Sequence, residues 1–133
     1  MVAVLFVFNS STARAQDAGD PKVWADGLFN TLLNRGEDAF QDELKTTWAN
    51  KYVTLFTDQV VGYFSNTRKL GGSLTGYEYI SQQQVGPRLR NLKYITYNEN
   101  FFLVSQLAFY KGSHGWELIG VSMNSEADKI PWE

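Results

Sequence analysis

The sequence has no cysteine and one histidine among its 133 residues. The absence of cysteine excludes disulfides, thiolate zinc sites and cysteine nucleophiles. The single histidine, His114, lies in a turn at residues 112–115, where we expect its side chain to be exposed. A catalytic His–Asp pair and a histidine metal site are therefore not expected. We predict neither a cofactor nor a metal.

The chain also has no excess of positive charge and no apolar run of membrane length. Twelve Lys and Arg residues stand against fourteen Asp and Glu residues, which gives a net charge of -2. Nucleic acids and anionic membranes attract basic surfaces, so neither is an expected partner. The apolar run at residues 2–8 is far shorter than the ~20 residues of a transmembrane helix.

That N-terminal run has the pattern of a signal peptide. It is followed by polar residues and by Ala13-Arg14-Ala15, a small-x-small cleavage site, although no basic residue precedes it. We predict a signal peptide at residues 1–15, a short tether at 16–19, and a periplasmic or secreted protein with no stable membrane insertion after cleavage. The alternative is a buried N-terminal strand.

The rest of the chain predicts one α+β domain at residues 20–125, followed by a tail at 126–133. Its hydrophobic content is 44% and its aromatic content is 15%, enough for a single core. Asp20-Pro21 is a helix start, and Asn34-Arg35-Gly36 a helix end. A second helix follows, with apolar residues at Phe40, Leu44 and Trp48. A third is predicted from residue 52 to about residue 65, with a strand as the alternative.

Four β-rich runs follow Gly71-Gly72, and short turns separate them. They cover residues 74–80, 88–97, 101–110 and 116–123, and connections this short predict an antiparallel meander. We expect the loop at 98–100 to pair Tyr97 with Phe101, and the turn at 112–115 to pair Tyr110 with Glu117. In this register both sheet faces are largely apolar. The helices can cover one face, so a second copy of the chain is expected on the other, as a homodimer.

This order of elements, with the short signatures Gly76-Tyr77-Glu78-Tyr79-Ile80, Gly86-Pro87-Arg88-Leu89 and Gly115-Trp116-Glu117-Leu118, resembles the cystatin-like α+β fold of the NTF2-like superfamily. More narrowly, the chain is similar to small exported bacterial proteins of unknown function in that superfamily. The resemblance implies a cone-shaped pocket between helices and a curved sheet. In some members, such as ketosteroid isomerase and scytalone dehydratase, the pocket is catalytic, and in many it only binds a molecule or partner.

Five polar side chains fall on one sheet face in the predicted register and form the predicted ligand site: Arg90, Tyr94, Gln106, Tyr110 and Glu117. Polar groups spaced along an apolar concave face suit a small amphipathic ligand. A buried Glu117 would have a raised pKa and could act as an acid or base. The alternative is an exposed Arg90–Glu117 ion pair.

We therefore predict an exported NTF2-like domain that binds a small molecule or a protein partner without catalysis. Two alternatives remain open. One is a small lyase or isomerase that uses one pocket carboxylate, Glu117 or Glu78. The other is a structural or assembly subunit of the cell envelope.

Overall fold

The fold is α+β, as predicted. The computed structural model describes residues 19–47 and 52–125, with the backbone alone described at 46, 47 and 52–56. Within these residues, α1 (Pro21–Arg35), α2 (Glu37–Thr47) and α3 (Tyr52–Gly71) precede β1 (Leu74–Val85), β2 (Leu89–Asn98), β3 (Phe102–Gly112) and β4 (Gly115–Asn124). The strands form one antiparallel sheet in the order β1-β2-β3-β4. Bulges in β1 and between β3 and β4 bend the sheet around the helices.

The ends of α1 follow from its sequence. The Asp20 carboxylate accepts a hydrogen bond from the Val23 amide at 3.2 Å, and Pro21 occupies the first turn. At the other end, Gly36 has a φ of 93°, and its amide donates to the Leu32 carbonyl at 3.2 Å. That conformation favours glycine, so the chain turns sharply there and α2 begins one residue later.

Helix α3 is longer than predicted, and the alternative of a strand in this region is wrong. It runs to Gly71 because its core face, which includes buried Phe64, continues past residue 65 at buried Thr67. A Cβ atom on Gly71 would collide with the Phe101 side chain, so the helix end packs directly against the β2–β3 turn. Gly72 follows with a φ of 89°.

Five aromatic side chains fill the space between the helices and the sheet. Phe29 is at their centre, and its ring centroid lies 4.6 Å from that of Tyr94, 5.8 Å from Tyr77, and 6.4 Å from both Phe40 and Phe64. We call these five residues the aromatic cluster. Such pairs contribute about 0.5–1.5 kcal/mol each beyond the burial of their surface. The middle of the predicted cone is therefore solid.

The predicted register is correct for one hairpin and wrong for the other. Tyr110 pairs with Glu117 as expected. In the β2–β3 hairpin, however, Tyr97 pairs with Phe102, because Asn98 and Phe101 close a two-residue turn through a 2.8 Å hydrogen bond. The amides of that turn also donate to backbone carbonyls at the end of α3 and just beyond it, Asn100 to Gly71 and Glu99 to Ser73. The two-residue turn is thus hydrogen-bonded to the end of α3 as well as within the hairpin.

This one-residue shift exchanges which β2 residues share a face with which β3 residues. The inner face, which the helices cover, is strongly apolar and includes Leu92, Leu107, Phe109 and Leu118, each at most 1% exposed. The outer face is mixed. It has a polar middle of Ser81, Gln83, Asn91, Lys93, Gln106 and Ser122.

The outer face has apolar groups on both sides of this polar middle. Toward the β1–β2 turn, Val85, Leu89 and Ile119 are exposed, at 68%, 42% and 48%. Toward the other end, Ile95 and Val104 are buried. The prediction that both faces are largely apolar was wrong for the outer face, because it depended on the wrong register. The homodimer stays a prediction.

Candidate functional site

The five predicted site residues do not share a face. Arg90 and Tyr94 lie on the inner face, where they pair with Phe109 and Ser105. The other three, Gln106, Tyr110 and Glu117, lie on the outer face. The register error explains this correction, since even-numbered residues of β2 share a face with odd-numbered residues of β3. No single ligand site contains all five.

Arg90 ties the start of α1 to the sheet. Its guanidinium donates to Asp20 Oδ1 at 3.3 Å and to Gln84 Oε1 at 3.2 Å, and it lies over the Trp116 ring at 4.6 Å. Asp20 also caps α1 through its other carboxylate oxygen. These contacts involve Asp20 and Trp116, so the alternative of an Arg90–Glu117 ion pair is also wrong.

Tyr94 belongs to a polar clamp between α1 and the sheet. Its side chain is fully buried, and its hydroxyl donates to Asp26 Oδ1 at 2.5 Å. Lys22 donates to Asp26 Oδ2 at 2.8 Å, and the Tyr77 hydroxyl donates to the Asp26 carbonyl at 3.2 Å. Burial, followed by the bond to Asp26, raises the pKa of Tyr94, and the hydrogen bond to Asp26 raises the pKa of Lys22. We call Tyr94, Asp26, Lys22 and Tyr77 the Asp26 clamp.

On the outer face Tyr110 and Glu117 are direct cross-strand neighbours, whereas Gln106 lies four residues away along β3. Gln106 accepts a 2.8 Å hydrogen bond from Asn91, and the Tyr110 hydroxyl accepts one from Arg88 at 3.5 Å. Glu117 faces away from the helices. Its predicted role as a carboxylate inside the pocket is therefore wrong.

Glu78, the other carboxylate considered for catalysis, is also outside the pocket. It pairs with Ile95 on the outer face and accepts a 2.7 Å hydrogen bond from the Tyr97 hydroxyl. That bond raises the pKa of Tyr97.

A pocket of about 400 Å³ lies at one end of the helical layer, where the sequence predicted no site. Its apolar lining consists of Leu32 on α1, Phe64 on α3 and Leu74 at the start of β1. Leu32 and Phe64 are each only 5% exposed, so the apolar lining belongs to the core. We call this the end pocket. It exists because α1 stops at Gly36 and α2 turns back beside it.

Polar groups surround the apolar lining of the end pocket. Arg35, Glu37, Asp38 and Arg68 contribute charge, and Asn98 contributes an amide from the end of β2. Arg68 donates to Glu37 through both Nε and Nη2, at 2.9 and 3.2 Å, and hydrogen bonding to the Glu37 carboxylate raises the pKa of Arg68. The Asn98 amide donates to the Gly72 carbonyl at 2.8 Å. The sequence signal was the charged run around Gly36, which we interpreted only as a helix boundary.

Three further observations concern the part of the chain that the structure describes. Among the described residues, no group of three or more His, Asp or Glu side chains could hold a metal ion. His114 is exposed in the β3–β4 turn, as predicted. No helix within residues 19–47 and 52–125 is long and apolar enough to cross a membrane.

No protein-family model matches the chain, and no curated protein matches it at a significant level. One solved structure does match, a "putative NTF2-like transpeptidase" from Campylobacter jejuni, at a TM-score of 0.50 and 14% sequence identity. The match covers 75% of this chain and 97% of the other. Identity this low supports a shared fold and nothing about activity. Three helices followed by a bent four-stranded meander, together with this neighbour, identify the described domain as an NTF2-like α+β fold.

Proposed function

We propose that this protein is a non-catalytic NTF2-like binding domain whose ligand, a small amphipathic molecule, occupies the end pocket. The observation that carries the proposal is the combination of an apolar lining with charged and amide groups around it. Ligand sites typically combine these two kinds of surface, since apolar area supplies affinity and a few polar groups fix orientation.

The size of the end pocket sets the class of ligand. About 400 Å³ lies near the lower end of the range for small-molecule sites. It corresponds to the volume of about 13 liquid water molecules. A small metabolite fits such a space. The aromatic cluster keeps the ligand at the end of the cone.

A lyase or isomerase is less well supported by the same geometry. Glu117 and Glu78 lie on the outer face, and the Glu37 carboxylate accepts hydrogen bonds from Nε and Nη2 of Arg68. A general base needs a carboxylate that can reach a substrate proton. Among the described carboxylates that line the end pocket, Asp38 alone has no ion-pair partner, and it is exposed.

A pocket-filling variant tests the proposal. Fragments are titrated into labelled protein, and amide shifts near Leu32, Phe64 and Asn98 are followed by NMR. Leu74→Trp should fill the end pocket and weaken the binding of any fragment hit at least about tenfold, roughly 1.4 kcal/mol. The control is Val23→Trp, on α1 but 70% exposed and outside the pocket lining. If no fragment shifts these amides, or Leu74→Trp binds as well as the control, the proposal is wrong.

We infer that the protein is exported, because residues 1–15 have the pattern of a signal peptide. These residues and the tail at 126–133 lie outside the described residues.

We also infer a homodimer through the exposed apolar end of the outer face, formed by Val85, Leu89 and Ile119. Exposed clusters of this kind favour association. N-terminal sequencing of the purified envelope fraction tests export, and an intact Met1 there would contradict it. A role in envelope assembly would instead appear as a stable larger complex.

A further inference from the structure

We infer that the ligand of the end pocket is a zwitterion with an apolar side group, such as a free apolar amino acid. This inference rests on the proposed function and goes further by naming the class of ligand. It follows from which charges around the pocket already have partners and which do not.

Two of the four charged groups at the end pocket neutralise each other. Arg68 and Glu37 form a two-point ion pair, so neither is fully available to a ligand. Arg35, the last residue of α1, and Asp38, the second residue of α2, form no ion pair with any described residue. One free cation and one free anion thus line the same pocket.

This balance favours a ligand that carries both charges. An anion that approaches Arg35 also meets the negative Asp38, and a cation that approaches Asp38 also meets Arg35. A zwitterion can place its carboxylate near Arg35 and its ammonium near Asp38. It therefore gains two attractive contacts in place of one attraction and one repulsion.

The apolar lining supplies the rest of the recognition. Leu32, Phe64 and Leu74 present hydrocarbon to the pocket, so an apolar side group on the ligand would remove surface from water. A space equivalent to about 13 water molecules holds one amino acid of medium size. The zwitterion would thus lie with its charges outward and its side group on the lining.

Three related probes test the inference. L-Phenylalanine carries both charges, N-acetylphenylalanine only the negative one, and phenylalaninamide only the positive one. Each is titrated into the labelled full chain, and dissociation constants are taken from NMR shifts of Leu32, Phe64 and Asn98. Contacts with exposed charges are weak, so we expect phenylalanine to bind up to about fivefold more tightly than either analogue.

Charge-removing variants give a crossed pattern that a general loss of stability would not produce. Arg35→Gln should weaken phenylalanine and N-acetylphenylalanine and leave phenylalaninamide as tight or tighter. Asp38→Asn should weaken phenylalanine and phenylalaninamide and strengthen N-acetylphenylalanine. Lys69→Gln is the control, because Lys69 is exposed near the end of α3 and does not line the pocket.

The outcomes separate this inference from the proposed function. If a single-charge analogue binds as tightly as phenylalanine, or if both variants shift all three probes alike, the zwitterion inference is wrong. The pocket would still stand as a binding site if Leu74→Trp abolished the binding of those probes. If no probe or fragment perturbs the pocket amides, both the inference and the proposed function are wrong.

Discussion

Replacing Tyr94 by Phe would remove one hydroxyl from the middle of the Asp26 clamp and leave the ring in place. The ring should keep its packing on Phe29, since the two centroids lie 4.6 Å apart and the ring itself is unchanged. The change therefore removes the 2.5 Å hydrogen bond to Asp26 Oδ1 and a much longer contact, 3.5 Å, of the same hydroxyl with the Lys22 carbonyl.

The expected loss can be worked out from the groups involved. A hydrogen bond to a charged group contributes about 1.5–3 kcal/mol to stability. The Asp26 side chain is 37% exposed and still holds Lys22, so water can replace part of the lost bond. We expect a loss near 1.5 kcal/mol, at the lower end of that range. For a domain of this size the midpoint of thermal unfolding would fall by about 6 °C.

Urea unfolding followed by circular dichroism measures this loss, and a double-mutant cycle with Asp26→Asn assigns it to the pair. The exposed analogue is Tyr97→Phe, which removes a hydroxyl bonded to Glu78 at the surface. It should cost less than about 1 kcal/mol, because water can take the place of the lost partner.

The pH dependence of stability gives an independent check on the same bond. The folded state raises the pKa of Tyr94 above the value near 10 of an unfolded chain, so above about pH 10 it holds more protons than the unfolded state. The contribution of Tyr94 to the free energy of unfolding should therefore be complete below about pH 10. Above about pH 10 it should decrease, by up to about 1.4 kcal/mol per pH unit. Tyr94→Phe should show a shallower alkaline fall, although the raised pKa of Tyr97 still contributes.

Three results would refute this account of the clamp. The first is a loss of less than about 0.5 kcal/mol in the free energy of unfolding of Tyr94→Phe, which is the size of ordinary surface effects. The second is additivity of the losses of Tyr94→Phe and Asp26→Asn in the double-mutant cycle. The third is a Tyr94→Phe alkaline stability profile identical to that of the wild type.

Two glycines of α3 and the outer face give further predictions. Gly62→Ala should raise the free energy of unfolding by about 0.5–1 kcal/mol, since a Cβ there meets nothing within 4 Å and alanine favours helix. Gly71→Ala should lower it instead, because its Cβ would overlap Phe101; equal effects in urea unfolding would contradict the packing of the helix end on the turn. Light scattering at micromolar concentration should give about twice the mass of one chain, and Leu89→Lys should reduce this to one, because it places charge in the apolar end of the outer face. Val23→Lys, on exposed α1 surface, should not change the mass, and a wild-type monomer would end the dimer proposal.

Local chemistry in the sequence was sufficient for most of the fold. Asp20-Pro21 and Gly36 carry the signals that start and end α1, and the structure uses them as expected. The short turns between β-rich runs predicted the meander, and the turn at 112–115 gave the correct β3–β4 register. Each of these features depends on neighbours within a few residues.

The candidate site was decided by tertiary contacts. Whether the β2–β3 loop has two or three residues cannot be read from Asn98-Glu99-Asn100 alone. In the folded protein, the amides of Glu99 and Asn100 donate to carbonyls at and just beyond the end of α3, far away in sequence. That one-residue difference separated the predicted ligand residues onto two faces.

The sequence by itself determined the order of helices and strands, the capped ends of α1 and the absence of cysteine chemistry, because each is a property of nearby residues or of composition. The tertiary structure alone decided which residues meet. It brought Arg35 and Asp38 to the same pocket as Leu74, and it placed Tyr94 on Asp26 across 68 positions of chain. Such contacts depend on how the helices lie on the sheet, and the local pattern of residues does not encode that placement in a form that can be read directly.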